Sequence, residues 1–166
     1  MTSSKDHPHV ISVCVNGDQV EAAVASRLLL SEFLRDRLGL TGTHVGCGTG
    51  ACGSCTVLLH GEPVRACVIL AAQADGAIIE TIESIGTAEQ LHPVQTAFQA
   101  HHALQCGFCT PGIVMSAVAL FRRDSRPSPA ALEDMLQGHL CRCTGYRNIV
   151  EALASVAAAA IAVEAP

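Results

Sequence analysis

Nine cysteines stand in this chain of 166 residues, and eight of them fall into two sets of four. Cys47, Cys52 and Cys55 are spaced C-x4-C-x2-C, and Cys67 follows after eleven residues; Cys106 and Cys109 form a C-x2-C pair, and Cys141 and Cys143 a C-x-C pair. Thiolates grouped this closely bind zinc or iron in a reducing compartment and form disulfides in an oxidising one. The opening stretch Met1–His7 carries no apolar run of the kind that directs secretion, so a reducing compartment, the cytoplasm, is expected, and with it metal ligation. No Asp/Glu pair stands in a cysteine-bearing loop, so no acid–base couple and no catalytic residue is expected on this chain.

The first set has the spacing of plant-type ferredoxins, in which one loop supplies three ligands to a [2Fe–2S] cluster and a remote cysteine supplies the fourth. Gly46, Gly48, Gly50 and Gly53 lie among them. Without a Cβ, these residues let backbone N–H groups approach and point at the sulfurs of an anionic cluster. The Cys52/Cys55 pair alone would suit zinc or buried free thiols equally well; the four-cysteine spacing with its glycines selects the cluster. Residues 48–53 also spell G-x-G-x-x-G, but the dinucleotide fingerprint must open a helix, and the run after it, Cys55–Leu59, reads as a strand.

In the second set each pair is followed by a helix-start signal. Thr110 is the expected N-cap with Pro111 at the first helical position, and Thr144–Gly145 precede a helix opening near Tyr146. Two helix N-termini would then bring free N–H groups and positive dipole ends to Cys106, Cys109, Cys141 and Cys143. Taken alone, four cysteines in two close pairs are more often a zinc site. Beside a ferredoxin-type set, a second cluster makes better sense, because closely spaced redox centres conduct electrons and a zinc ion does not.

The elements that position these loops differ between the two halves. Val10–Val15 alternates as a strand, Asn16-Gly17-Asp18 signals a hairpin turn, and Gln19–Val24 alternates again. Leu30, Phe33, Leu34 and Leu38 mark a helix over residues 28–38 that stops at Gly39. Strands are expected over 55–59, 63–70 and 77–82. Beyond Gly86 the pattern turns helical over about 91–104, 111–123, 130–139 and 146–163. An α+β fold follows, with domains at 8–85 and 86–163.

Three strings carry a resemblance: Gly46-Cys47-Gly48-Thr49-Gly50-Ala51-Cys52-Gly53-Ser54-Cys55, Leu104-Gln105-Cys106-Gly107-Phe108-Cys109-Thr110-Pro111-Gly112 and Cys141-Arg142-Cys143-Thr144-Gly145-Tyr146. With them the chain, from about Val10 to Ala158, resembles the iron–sulfur small subunit of the molybdenum hydroxylases, the relatives of xanthine dehydrogenase, aldehyde oxidoreductase and carbon monoxide dehydrogenase. The resemblance implies a β-grasp ferredoxin-like domain followed by a four-helix bundle. It implies two partners, a large subunit with a molybdopterin cofactor and a medium subunit with FAD, in a heterotrimer or its dimer. It also implies that Cys106, Cys109, Cys141 and Cys143 hold the cluster nearer molybdenum, that Cys47, Cys52, Cys55 and Cys67 hold the one nearer the flavin, and that Gln105 and Cys143 contact the pterin. A free two-cluster ferredoxin and a zinc-stabilised interaction module are the alternatives.

The remaining features exclude more than they assign. A net charge of −5 and a pI near 5.8 argue against nucleic acid, which needs clustered Lys and Arg. The apolar stretch 152–163 falls short of the roughly 20 residues that span a bilayer. Cys14, outside both sets, is expected to be a small buried core residue of a strand. None of the eight histidines is assigned to metal, and Arg142 and Arg147 are read as solvated or interface ion-pair members.

Overall fold

The computed structural model describes residues 8–159. The sheet half opens with the hairpin β1 (His9–Val15) and β2 (Asp18–Val24), paired in register from His9 opposite Val24 to Val15 opposite Asp18. Its turn places Asn16 at φ 54° and Gly17 at φ 92°, the left-handed pair that suits the twist of a two-residue hairpin. A short helix α1 (Leu30–Glu32) runs on as a π-helical turn, Phe33–Arg37, and buries Leu30, Phe33 and Leu34. Strands β3 (Thr56–Leu59), β4 (Glu62–Arg65) and β5 (Ile78–Glu80) complete a five-stranded sheet of order β2-β1-β5-β3-β4, in which only β1 and β5 run parallel.

The strand expected over 63–70 ends at Arg65, where the chain turns into a 3-10 segment, Ala66–Val68, that buries Ala66 and Cys67. A cysteine in a sheet strand would point along one face; the turn instead takes Cys67 back toward the Cys47–Cys55 loop. Cys14 also departs from expectation. Ile11, Val13 and Val15 face the core, so alternation along β1 sends Cys14 to the opposite face, where it is half-buried and opposite Ile78 of β5. It is not a core residue.

The helical half comprises α2 (Pro93–Ala100), α3 (Thr110–Arg123), α4 (Pro129–Gln137) and α5 (Arg147–Ala159). Three of the four begin with proline in the first two positions, where its missing N–H costs nothing. Cys109, not Thr110, caps α3: the N–H of Ile113 bonds the Cys109 carbonyl, which makes that residue the first acceptor of the helix. Tyr146 stands at φ 66°, so α5 opens one residue later than expected, and residues 160–163 of the expected helix lie outside the described residues. Among the described residues no helix is long and apolar enough to cross a membrane.

The two halves meet along β3 and α3. Val57 joins the core under the sheet with Phe33 and Ile79, whereas its neighbour Leu58 points into the helical core with Ile113, Val118 and Leu153. Residues 112–119 of α3 are all buried, because the sheet covers one side of the helix and the bundle the other. Arg122 of α3 then clamps Glu80 of β5 through two parallel contacts of 2.9 Å, both side chains being about 15% exposed or less.

Candidate metal centres

All nine cysteines are free of disulfides, and the eight members of the two sets sort into four touching pairs. In the first loop, the backbone N–H groups of Thr49 and Cys52 both donate to Cys47 Sγ at 3.4 Å. The Thr49 side chain, then these two amides, hold the exposed Cys47 thiol down to about 6. Gly48, Gly50 and Gly53 take φ of 66°, 80° and 77°, a conformation that curls the loop around the sulfurs. Cys55 and Cys67 are buried and hydrogen-bond each other, and burial pushes the Cys55 thiol up to about 11.

In the helical half, Cys106 Sγ lies 3.5 Å from Cys143 Sγ at the surface, and this contact with Cys106 raises the Cys143 thiol. Behind them Cys109 hydrogen-bonds Cys141, and burial pushes Cys109 up to about 12. Burial acts on Cys141 in the same sense, but hydrogen bonds from Thr144, whose Oγ1 is 3.1 Å from its sulfur, and from the Cys143 amide outweigh it and lower that thiol. The Tyr146 hydroxyl braces the turn, accepting from the Cys141 N–H at 2.9 Å and donating to the His139 carbonyl at 3.1 Å.

These residues fit a binuclear iron–sulfur cluster in each half. A [2Fe–2S] cluster asks for two thiolates on each of two irons, and each set supplies two adjacent pairs: Cys47/Cys52 and Cys55/Cys67, then Cys106/Cys143 and Cys109/Cys141. Thiols held protonated by burial become thiolates when a metal supplies the compensating charge.

Gln105 and Cys143 are brought together as well. Both are exposed, and Gln105 Nε2 donates to the Cys143 carbonyl at 3.1 Å. Arg147 forms an exposed pair with Glu151 one helical turn on, at 3.0 Å. Sequence reasoning passed over Leu140, whose N–H donates to the Cys52 carbonyl at 2.9 Å, and Arg65, which bonds Thr56 Oγ1 and, at 2.6 Å, the Gly138 carbonyl. It also passed over His139 as anything but a non-ligand. His139 is 2% exposed beside Ser116, and burial, with Arg65 nearby, lowers its imidazole to about 4. No local pattern announces these contacts, since each joins segments far apart in the chain.

Residues 13–78 match the family described as a 2Fe-2S iron-sulfur cluster binding domain, and residues 81–154 the family described as a [2Fe-2S] binding domain. The chain is 49% identical over 151 residues to the caffeine dehydrogenase subunit gamma of Pseudomonas sp. (strain CBB1), an alignment that covers 89% of this chain and 90% of that one. It belongs to the iron–sulfur subunits of the molybdenum hydroxylases. The nicotine 6-hydroxylase small subunit of Paenarthrobacter nicotinovorans is 48% identical over 86% of both chains. Among solved structures, quinoline 2-oxidoreductase from Pseudomonas putida 86 superposes with a TM-score of 0.88 at 44% identity, over 93% of this chain and 96% of that one. In the aldehyde oxidoreductase of Megalodesulfovibrio gigas, 47% identical, the matched region is 16% of one longer chain. As such a subunit the chain binds two [2Fe–2S] clusters and carries electrons within a multi-subunit oxidoreductase.

Proposed function

We propose that this molybdenum hydroxylase subunit relays electrons from a molybdopterin centre on a large subunit to FAD on a medium subunit, in a heterotrimer or its dimer located in the cytoplasm. Cys47, Cys52, Cys55 and Cys67 hold one cluster and Cys106, Cys109, Cys141 and Cys143 the other, in domains at 8–85 and 86–163. The observation that carries the reading is the grading of exposure within each set. Cys106, Cys143 and Cys47 lie at the surface, where partner cofactors can approach, whereas Cys109, Cys55 and Cys67 are buried. The surface pair beside Gln105 is assigned to the molybdenum side, with Gln105 and Cys143 at the pterin, and Cys47 to the flavin side.

When bound, an iron–sulfur cluster supplies one-electron transfer at a potential set by its hydrogen bonds and solvent exposure. This chain supplies those settings: the Thr49 and Cys52 amides at Cys47, the Thr144 hydroxyl at Cys141, and the burial of Cys55 and Cys109. Bond-making belongs to the cofactor of another subunit. An N-heteroaromatic compound is the substrate class of the assembled enzyme in this reading, supported by relatives named for caffeine, nicotine and quinoline.

Purification under native conditions, followed by metal and labile-sulfide analysis, tests the proposal. A large molybdenum subunit and a flavin subunit should accompany the chain, with four irons and four sulfides from its two complete thiolate sets. Two irons with one zinc would remove the second cluster; a chain that purifies alone with four irons would instead be a free carrier.

A further inference from the structure

Gly53 sits in a slot closed on both sides by the helical half. A Cβ built on Gly112 of α3 would stand 2.3 Å from the Gly53 carbonyl oxygen, and one built on Gly53 would stand 2.5 Å from both His139 Nδ1 and the Gly138 carbonyl oxygen. The turn bearing Cys52 and Cys55 therefore passes between α3 and the His139 ring at a spacing that only glycine at both positions allows. Gly53 is also at φ +77°, so any side chain there is strained by its backbone as well.

The ring's proton follows from the same contacts. His139 Nε2 lies 2.8 Å from Ser116 Oγ, while Nδ1 is buried and has no hydrogen-bond partner. A proton on Nδ1 would be an unsatisfied donor, which is costly in a buried site. On Nε2 it is satisfied by Ser116. The ring is thus anchored to α3 at one edge, through Nε2 and Ser116, and turns its Nδ1 edge to Gly53 at the other.

We propose that His139, held by Ser116, is a positioning residue that sets the separation between the two cysteine sets. Its neighbours extend the grip. Arg65 bonds the Gly138 carbonyl, the Leu140 N–H bonds the Cys52 carbonyl, and Cys141 follows directly. Removing the ring leaves the Cys52–Cys55 turn held on that side by the Gly138 carbonyl and the Leu140–Cys52 hydrogen bond alone, so that it can shift against Cys141. The inference rests on the assignment of the eight cysteines to two clusters.

The test uses the assembled enzyme, reduced chemically so that both centres are paramagnetic, and reads the dipolar splitting between them by low-temperature paramagnetic resonance. His139→Ala should keep its iron and sulfide yet lose or narrow the splitting. His139→Gln retains an N–H donor for Ser116 and should restore it, and Ser116→Ala should narrow it in part. A His139→Ala enzyme with full iron content and wild-type splitting overturns this inference alone, and where that variant does not assemble, wild-type splitting in Ser116→Ala does so. A wild-type enzyme without four irons and four sulfides overturns the cluster assignment and this inference with it.

Discussion

The backbone N–H of Leu140 donates to the carbonyl oxygen of Cys52 at 2.9 Å, tying a cysteine of the sheet half to the residue that precedes Cys141. The leucine side chain takes no part, being 61% exposed. Leu140→Pro removes the donor and leaves the half-buried Cys52 carbonyl unpaired, at a cost of about 1–3 kcal/mol. Leu140→Ala keeps the donor and should be within about 0.5 kcal/mol of wild type. Denaturant midpoints of the two variants check the contrast; equal midpoints would show that the bond contributes nothing.

Cys14→Ser should leave iron and labile sulfide unchanged, since Cys14 lies on the outer face of β1, away from both sets. At a half-buried position a hydroxyl keeps access to water, so the expected loss of stability is about 1 kcal/mol or less. Loss of either cluster's absorption in this variant would reassign the ligands.

The division of eight cysteines into two groups, which the structure brings together as pairs, was legible because metal chemistry restricts spacing: a loop that wraps one cluster must present its thiols at short, set intervals and needs glycines between them. The opening hairpin was legible for a similar reason, as Asn16-Gly17 is a turn with few alternatives. Contacts made across the fold were not legible. Leu58 reads as one more apolar strand residue, yet it serves the helical core while Val57 serves the sheet. Arg122 and Glu80, or His139 and Ser116, carry no pattern that links them before the halves dock. Cys14 was misread because an alternating strand has two faces, and the sequence of β1 offers apolar residues, Val10 and Cys14, on the outer one as well.

His92 gives the fold a pH dependence in the acid range. Its Nδ1 accepts from the Val94 N–H at 3.2 Å at the start of α2, and burial, then the Arg122 charge, lowers its pKa from 6.5. The unfolded chain therefore binds the proton more readily, so the stabilisation is full above the unfolded pKa and is lost as pH falls through the lower folded value. His92→Asn keeps a capping oxygen without the titration. Between about pH 8 and pH 5 the variant should lose less stability than wild type; parallel losses in thermal scans would contradict this.

The order of the two centres is tested by breaking one set at a time. Cys106→Ala removes half of the surface pair with Cys143 and should reduce the iron content by up to two, with the Cys47 set intact because its cysteines pair with one another, Cys47 with Cys52 and Cys55 with Cys67. In the assembled enzyme, substrate should then fail to reduce the Cys47 set, whose paramagnetic signal would stay absent although chemical reductant still develops it. Cys47→Ala breaks the other end. There the helical set should still be reduced by substrate, while the flavin stays oxidised, because the gap lies beyond the first acceptor. Freeze-quenched paramagnetic resonance distinguishes the cases in a single turnover, and the chemical-reductant control separates a missing relay from a missing cluster. A Cys106→Ala enzyme that assembled with its partners and whose Cys47 set was still reduced by substrate at the wild-type rate would show that electrons enter at the sheet half, reversing the assignment of Gln105 and Cys143 to the molybdenum side.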